Sequence, residues 1–371
     1  MICLISRNQL LKPLQLVGGV VERHQTIPIL SNLLLKIENQ QLSVTSTDME
    51  IEMVAYATML EGSSDSGSIT IPAKKFSDIC RTLPEGADIK LSCDASKATM
   101  QSGRSRFTLS TLPAADFPNV ETSPDNLTFQ LSQRKLKFLI DSTLFAVAHQ
   151  DVRYYLNGLL LEVKKDFVRA VATDGHRLAL SECDSSIDIS SDSIQIIVPR
   201  KGVTELSRLL VGDDDIELHL AISGNHISIS TDEYSFKSKL IDGRFPDYQR
   251  VIPEGGDKVV IVERDLLRQA LQRASILSSE KLRGVQFQFS QGELTISAHN
   301  PEQEQAEETL EIEYAGDRLE IGFNVNYVLD ALAALKAEKV KLTLLDGNSS
   351  CLIEGLDSEM VSRYVVMPMR F

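Results

Sequence analysis

Two short stretches hold side chains that could carry out catalysis. In Thr173-Asp-Gly-His-Arg-Leu178, a carboxylate stands two positions before a histidine, and such a pair can form a general base. Ser278-Ser-Glu-Lys281 matches the SxxK spacing of some serine nucleophiles, although a charged turn explains it more simply. Neither stretch has a companion motif, so catalysis by His176 and Asp174 is only one hypothesis among several.

The sequence lacks the common motifs of nucleotide-binding and hydrolytic enzymes. It has no phosphate loop, no dinucleotide-binding glycine motif, no HExxH zinc motif and no GxSxG elbow. Its six histidines show no ligand spacing, and its five cysteines are scattered without CxxC spacing. The preferred interpretation therefore has no catalytic residues, no metal, no cofactor and no disulfides.

Charge and hydropathy limit the class of protein. A net charge of −14 argues against a simple basic domain that binds nucleic acid nonspecifically. No basic start precedes an apolar signal core, and no apolar run approaches the roughly 18 residues that a membrane span requires. We expect a soluble, cytoplasmic protein that makes no contact with a membrane.

An internal repeat organises the chain. Val198–Leu210 and Ile71–Leu83 match at their hydrophobic and basic positions, and Phe323–Leu335 is a weaker third copy without the cations. The copies lie about 125 residues apart, which is the size of a domain rather than of a solenoid unit. We predict three domains, residues 1–124, 125–253 and 254–371, with boundaries in segments rich in proline, glycine and charge.

Each repeat has the same predicted order of elements: helix, strands, helix, strands. The spacing of apolar residues predicts helices over Arg7–Val17, Ala73–Thr82, Gln133–Val147, Arg200–Leu210, Glu263–Leu277 and Val325–Ala337. Alternating segments with short polar interruptions predict antiparallel strand pairs. The fold class is therefore α+β, with helices on one face of antiparallel sheets.

The predicted helices together carry a net positive charge, although the chain is acidic. Helices tolerate Lys and Arg well, which is one explanation; the other is a basic face directed at a polyanion. Twelve such helices from two chains, packed in a ring, leave a lumen of about 24 Å, enough for a duplex of roughly 20 Å. In this arrangement Arg200 and Lys201 face the lumen, and Val203, Leu206 and Leu210 anchor the helix to its sheet.

Two other features could bind partners. Tyr154 and Tyr155 could stack on bases, or they could be ordinary residues of a strand. Arg104–Leu109 is basic and apolar, whereas Glu302–Glu308 in the last repeat is acidic. Complementary segments near opposite ends of a chain suggest head-to-tail closure between copies.

Several longer motifs resemble one family over essentially the whole chain. They are, in order, HQDVRYYLNG (His149–Gly158), ATDGHRLA (Ala172–Ala179), VPRKGV (Val198–Val203), DGRFPDY (Asp242–Tyr248), NPEQEQAEE (Asn300–Glu308) and VVMPMR (Val365–Arg370). They closely resemble the bacterial sliding clamp family, the beta subunit of DNA polymerase III. The resemblance implies three clamp domains, a head-to-tail homodimeric ring around duplex DNA, and a processivity factor rather than an enzyme.

The resemblance also implies partners and site residues. The partners are duplex DNA without sequence preference, the alpha subunit of DNA polymerase III, the clamp loader, and other polymerases and repair proteins with clamp-binding motifs. The positions that match the family's DNA contacts are Arg23, His24, Lys74, Gln150, Tyr154, Tyr155, Arg200 and Lys201. Those that match its partner-peptide pocket are Leu156, Thr173, Gly175, His176, Arg177, Leu178, Pro246, Arg250, Val251, Ser350, Val365, Met367, Pro368 and Met369. Those that match its dimer interface are Arg104, Arg106, Phe107, Leu109, Ile276, Leu277, Glu302, Glu304, Glu307 and Glu308.

Three positions depart from the family pattern. Arg23 and His24 stand where the family often has Arg-Pro, so the early DNA contact could come from either residue. Lys74 replaces a frequent arginine. Gln305 replaces a common glutamate, which affects one interface ion pair.

Two alternatives from other functional classes stay open. In a DNA hydrolase, His176 and Asp174 would be catalytic, and His176→Ala would abolish metal-dependent hydrolysis of DNA. A protein scaffold would use the same peptide pocket without binding DNA. In that case Lys74 and Arg200 could be replaced without an effect on polymerase processivity.

Overall fold

A computed structural model describes residues 1–21, 27–60, 63, 66–94, 96–119, 127–189, 192–211, 216–357 and 360–370. The fold is α+β with antiparallel sheets, which confirms the predicted class. The α-helices in these residues are α1 Arg7–Val17, α2 Ala73–Thr82, α3 Gln133–Asp141, α4 Arg200–Leu209, α5 Arg264–Ser275 and α6 Val325–Ala334. None of them is long and apolar enough to span a membrane.

The strands account for most of the remaining regular structure. In chain order they are β1 Ile2–Ser6, β2 Asn32–Glu38, β3 Gln41–Thr47, β4 Ile51–Thr58, β5 Gly67–Pro72, β6 Asp88–Cys93, β7 Lys97–Ser102, β8 Ser105–Ser110, β9 Leu127–Ser132, β10 Gly158–Val163, β11 Phe167–Thr173, β12 Arg177–Asp184, β13 Ile194–Pro199, β14 Glu217–Ser223, β15 His226–Ser230, β16 Tyr234–Lys239, β17 Lys258–Glu263, β18 Gly284–Ser290, β19 Glu293–His299, β20 Gln305–Glu311, β21 Leu319–Asn324, β22 Lys339–Leu344, β23 Cys351–Gly355 and β24 Val361–Val366. Their short polar turns match the predicted hairpins.

The chain divides into two compact units. The first comprises Met1–Gln133 and Arg208–Leu240, with an eight-stranded sheet, β5-β2-β3-β4-β16-β15-β14-β9, and a four-stranded sheet, β1-β6-β7-β8. The second comprises Arg134–Ser207 and Ile241–Phe371, with an eight-stranded sheet, β13-β10-β11-β12-β24-β23-β22-β17, and a four-stranded sheet, β20-β19-β18-β21. The units follow the sheets, and the domain limits 124/125 and 253/254 stay predictions. The segment 121–126, where one limit falls, lies outside the described residues.

The helices have the predicted apolar faces, but several end earlier than predicted. Val203, Leu206 and Leu210 are buried, as the apolar spacing requires. The prediction of one helix over Gln133–Val147 is wrong beyond Asp141, because a separate 3-10 turn covers Leu144–Ala146. The Thr143 hydroxyl donates to the Leu139 carbonyl, a side-chain bond that competes with continuation of the helix.

One helix contact recurs in all three repeats. The first residue of the first helix of a repeat donates its side chain to carbonyls at the C-terminal end of the second helix: Arg7 to Cys80 and Arg81, Gln133 to Val211, and Arg264 to Leu335. Cys80 and Arg81 are in the last turn of α2, whose carbonyls lack partners within the helix, whereas Leu335 follows its helix directly and Val211 follows with one residue between; in each case the donor satisfies a carbonyl where a helix ends. Two of the positive charges on the helices, those of Arg7 and Arg264, therefore make hydrogen bonds within the fold.

Candidate functional site

The proposed catalytic pair lies in a turn that uses the carboxylate structurally. Asp174 Oδ1 accepts the backbone N–H groups of His176 and Arg177 at 2.9 and 3.0 Å, and Oδ2 accepts Arg177 Nε at 3.1 Å. The His176 ring stacks on Tyr327 of α6, with centroids 6.5 Å apart and an interplanar angle of 17°. Asp174 thus shapes the turn. Within the described ranges, no group of three or more His, Cys, Asp or Glu is arranged to hold a metal.

Arg177 fastens this turn to α6. Its Nη1 donates to Asp330 Oδ2 at 2.5 Å, and its Nη2 donates to the Phe145 carbonyl at 2.7 Å. The guanidinium carbon lies 4.6 Å from the Tyr327 ring centroid and 5.2 Å from that of Phe145, within the range of cation–π attraction. A planar cation with hydrogen-bond partners on its edges and two aromatic rings within cation–π range has little freedom, so Arg177 holds the turn in place.

The predicted pocket residues include part of one buried apolar cluster. Leu156, Leu178 and Val365 pack together although they come from three separate segments of the chain. The other buried members are Ala148, Leu160, Val171, Leu180, Ile197, Phe245, Tyr248 and Leu352, with Tyr155, Ile241 and Ile252 packed partly buried against them. Phe245 and Tyr248 were not among the predicted pocket residues.

A cavity of about 740 Å³ adjoins this cluster at Ile252, which lines the cavity and packs against the cluster. The predicted residues Arg250, Val251 and Ser350 line it. The other lining residues, which were not predicted, are Asp247, Gln249, Ile252, Pro253, Glu254, Leu345, Asn348 and Ser349. Leu345, directly after β22, is an exposed apolar residue in the structure, and no sequence pattern marks it as part of a cavity wall.

The remaining predicted pocket residues lie in the same compact unit. Thr173 Oγ1 accepts the Gly175 N–H and donates to the Arg177 carbonyl at 2.6 Å. Gly175 has φ +88°, a left-handed backbone conformation that strains any other residue, so this position favours glycine. The Met367 N–H donates to the His176 carbonyl at 3.0 Å. Pro246 is exposed, Pro368 is half-buried, and Met369 is half-buried beside a bridge to Gly322.

The predicted DNA-contacting positions divide into several groups. Arg23 and His24 lie outside the described residues. Lys74 is exposed in the first turn of α2, where it helps to line a cavity of about 650 Å³ beside α1. Arg200 Nη1 donates to the Val147 carbonyl at 2.6 Å, and Lys201 next to it is half-buried.

Gln150, Tyr154 and Tyr155 belong to one exposed loop. Gln150 is exposed with φ 55°, and the Tyr154 side chain is 56% exposed. The two tyrosine rings meet edge to face with centroids 5.8 Å apart. They lie in a 3-10 turn, Tyr154–Asn157, so the alternative that they belong to a strand is wrong.

Most of the predicted interface positions lie on or beside an edge strand of the two four-stranded sheets. Arg106, Phe107 and Leu109 are on β8, an edge strand of the first unit, and Arg104 is in the turn before it. Glu307 and Glu308 are on β20, an edge strand of the second unit, and Glu302 and Glu304 precede it; Ile276 and Leu277 follow α5. Ile276 is 75% exposed. Arg273 pairs with Glu308 through bonds of 2.8 and 2.6 Å, which lower the pKa of that carboxyl.

Known proteins match this chain over nearly its full length. Models of the DNA polymerase III beta subunit match with its N-terminal domain at residues 1–121, its central domain at 130–247 and its C-terminal domain at 249–370. The beta sliding clamps of Pseudomonas aeruginosa and Escherichia coli are 54% and 51% identical, each over 99% of both chains.

Solved structures give the same result. A Pseudomonas aeruginosa sliding clamp bound to griselimycin matches with a TM-score of 0.96 and 53% identity over 100% of both chains. A Caulobacter crescentus sliding clamp matches with a TM-score of 0.92 and 37% identity over the same coverage. The three tandem domains predicted from the repeat are those of this family. The chain therefore belongs to the DNA polymerase III beta subunit family, the bacterial sliding clamps.

Proposed function

We propose that this chain is a DNA polymerase processivity factor, a clamp that encircles duplex DNA and tethers polymerases without a reaction of its own. The observation that carries the proposal is the full-length match to sliding clamps, together with a cavity of about 740 Å³ beside the Leu156–Leu178–Val365 cluster. A related clamp binds griselimycin, and we propose that this cavity receives the same ligand and partner peptides. The proposed place of action is the cytoplasm.

The sheet edges support a head-to-tail dimer. β4 pairs with β16 and β12 pairs with β24, so each of these ladders joins strands of two predicted repeats. By sheet order, β20 is the counterpart of β4 and β12, and β8 is the counterpart of β16 and β24. In the described part of the chain, β8 and β20 are sheet edges. We propose that β8 of one chain pairs with β20 of a second copy.

The two ladders within the chain also have the same register. Following the paired residues strand by strand gives two sets of equivalent positions: Ile51, Arg177 and Glu304 on one side, and Ser238, Val366 and Leu109 on the other. Ile51 faces Ser238, and Arg177 faces Val366. The third equivalent pair is Glu304 of one copy and Leu109 of the other.

This register brings opposite charges together. Counted along the two antiparallel strands, it places Arg106 of one copy opposite Glu307 of the other, and Phe107 opposite Ala306. Oppositely charged residues directly across a ladder stabilise it, whereas like charges destabilise it. The register thus explains a basic β8 and an acidic β20.

Retention on DNA would be topological in such a ring. A closed ring cannot leave sideways, so weak, salt-screened contacts from exposed cations such as Lys74 suffice and still permit sliding. Proposed partners are the polymerase III alpha subunit, a clamp loader, and other polymerases and repair proteins with clamp-binding motifs.

The proposal is tested on nicked circular DNA. A bacterial clamp loader with ATP places labelled protein on the circle, and the DNA is then cut once. We expect the protein to leave the cut DNA and to stay on cut DNA whose ends are blocked. Retention on DNA with free ends contradicts a ring. Hydrolysis of the DNA in Mg²⁺ that is lost in His176→Ala would instead establish the enzyme alternative.

A further inference from the structure

A cross-strand ionic group lies in the sheet that also contains Leu178 on β12 and Val365 on β24. Arg169 of β11 stands between Glu162 of β10 and Glu182 of β12. Its Nη1 is 3.4 Å from Glu162 Oε2, and its Nε donates to Glu182 Oε2 at 2.7 Å. The guanidinium carbon lies 4.4 Å from the Phe167 ring centroid. The Glu162 side chain is only 4% exposed, so its charge needs these partners.

The Tyr248 hydroxyl completes this group. It donates to Glu162 Oε2 at 2.5 Å and accepts from Arg169 Nη1 at 2.7 Å. Burial raises the pKa of this hydroxyl, which therefore stays protonated and able to donate. Two partners on the same oxygen fix the direction of the phenol ring, and with it the start of the 3-10 turn Tyr248–Val251.

The residues that follow Tyr248 face the cavity. Gln249, Arg250, Val251 and Ile252 all line it, and the Ile252 N–H closes the turn on the Gln249 carbonyl at 3.3 Å. We propose that Glu162, Arg169 and Tyr248 are positioning residues of the peptide site: they touch no ligand, but they hold one wall of the cavity in its binding conformation. This inference rests on the proposed function.

The other repeats show that the fold does not require the ionic group. The cross-strand sets equivalent to Glu162-Arg169-Glu182 are Lys36-Ser43-Tyr56 in the first repeat and Gln288-Thr295-Thr309 in the third. Neither set can form the same ion pairs, yet both sheets have the same strand order. Buried ion pairs are in general poor sources of stability. Among the three equivalent sets, the ionic group occurs only in the repeat in which Tyr248 bonds to it. This favours a role in positioning the turn that Tyr248 begins.

The expected consequence is kinetic. If the turn samples other conformations, only the fraction of molecules with a formed cavity can bind, and the apparent affinity falls by that fraction. The contacts in the complex are unchanged, because none of the three residues touches the ligand. The association rate should therefore fall while the dissociation rate stays nearly constant.

The test compares two tyrosine-to-phenylalanine variants with griselimycin as the probe. In Tyr248→Phe we expect the association rate to fall about three- to tenfold, the range that corresponds to the net loss of one typical hydrogen bond. We also expect faster hydrogen exchange at the Ile252 amide. The control is Tyr314→Phe, which removes a hydroxyl that donates to the Asp317 carbonyl; neither residue is among those that line the cavity. It should bind like wild type.

Two further variants separate the possible failures. Val251→Ala shortens a cavity-lining side chain and should speed dissociation. If wild type does not bind griselimycin, or Val251→Ala has no effect, the proposed peptide site is wrong and the inference falls with it. If Val251→Ala weakens binding but Tyr248→Phe keeps both the wild-type association rate and wild-type exchange, the inference alone is overturned. Glu162→Gln, which keeps the side-chain size, should slow association in the same way. It replaces Tyr248→Phe in the test if that variant does not fold.

Discussion

Arg177 Nη1 lies 2.5 Å from Asp330 Oδ2, which joins the first residue of β12 to the middle of α6 across 153 positions of sequence. The same guanidinium also holds Asp174 and the Phe145 carbonyl. One cation therefore fixes the turn Thr173–Arg177, which contains four of the predicted pocket residues, to a helix of the third repeat.

Asp330→Ala should loosen this link. We expect the free energy of unfolding in urea to fall by about 1 kcal/mol, because the aspartate is 45% exposed and solvent screens part of the interaction. The control Asp265→Ala removes an exposed partner of Arg264 and Arg268 and should cost roughly 0.5 kcal/mol or less. Equal losses in the two variants contradict a special role for the Arg177–Asp330 pair.

Charge exchange tests the register of the proposed dimer. Arg106→Glu should place two acidic residues opposite each other, so sedimentation should detect mainly the 41.1 kDa chain instead of a species of twice that mass. Adding Glu307→Arg should restore the dimer. Adding Glu302→Arg instead should not, because Glu302 precedes β20 and lies outside the ladder. Rescue by both second changes, or by neither, argues against this register.

The predicted DNA cations should behave differently from one another. Lys74 is exposed, so Lys74→Ala should shorten polymerase runs without changing stability by more than about 0.5 kcal/mol. Arg200 also donates to the Val147 carbonyl, and Arg200→Ala should additionally lower the free energy of unfolding by about 1 kcal/mol. Lys97→Ala, on an exposed position of β7, is the control for processivity. The prediction fails if Arg200→Ala and Lys74→Ala are equally stable.

The stability that the loop with Gln150 and Tyr154 contributes should fall at acid pH. Hydrogen bonds from the side chain and backbone of Arg153 lower the pKa of Asp151 to about 2, from about 3.9 in an unfolded chain. A lowered pKa means that the contribution is complete above the unfolded value and is lost as the pH falls through the folded one. In Asp151→Asn, the midpoint of urea unfolding should therefore change less with pH between about pH 4 and pH 2 than it does in wild type. Parallel curves for the two proteins would falsify this assignment.

Local features of the fold could be predicted from the sequence. The helix bounds of α1 and α2 and the burial of Val203, Leu206 and Leu210 follow from apolar spacing, because each helix packs one face on a sheet. The three tandem domains could be predicted from the internal repeat, because each copy keeps the apolar positions that pack on a sheet.

Contacts between distant segments could not be predicted in this way. The β4–β16 and β12–β24 ladders join strands about 180 residues apart, and periodicity describes only one strand at a time. The cavity walls at Gln249 and Leu345 come from loops whose residues show no periodic pattern. The family resemblance supplied Arg250, Val251 and Ser350, but not Tyr248, whose role depends on a bond to Glu162.

The shared register of the ladders has a consequence for how an assembly would open. The β4–β16 and β12–β24 junctions lie within one polypeptide, so each re-forms at an effective concentration that dilution does not change. The proposed β8–β20 junction has no such tether, and its occupancy follows mass action. Among ladders of equal geometry, the untethered ones should separate first.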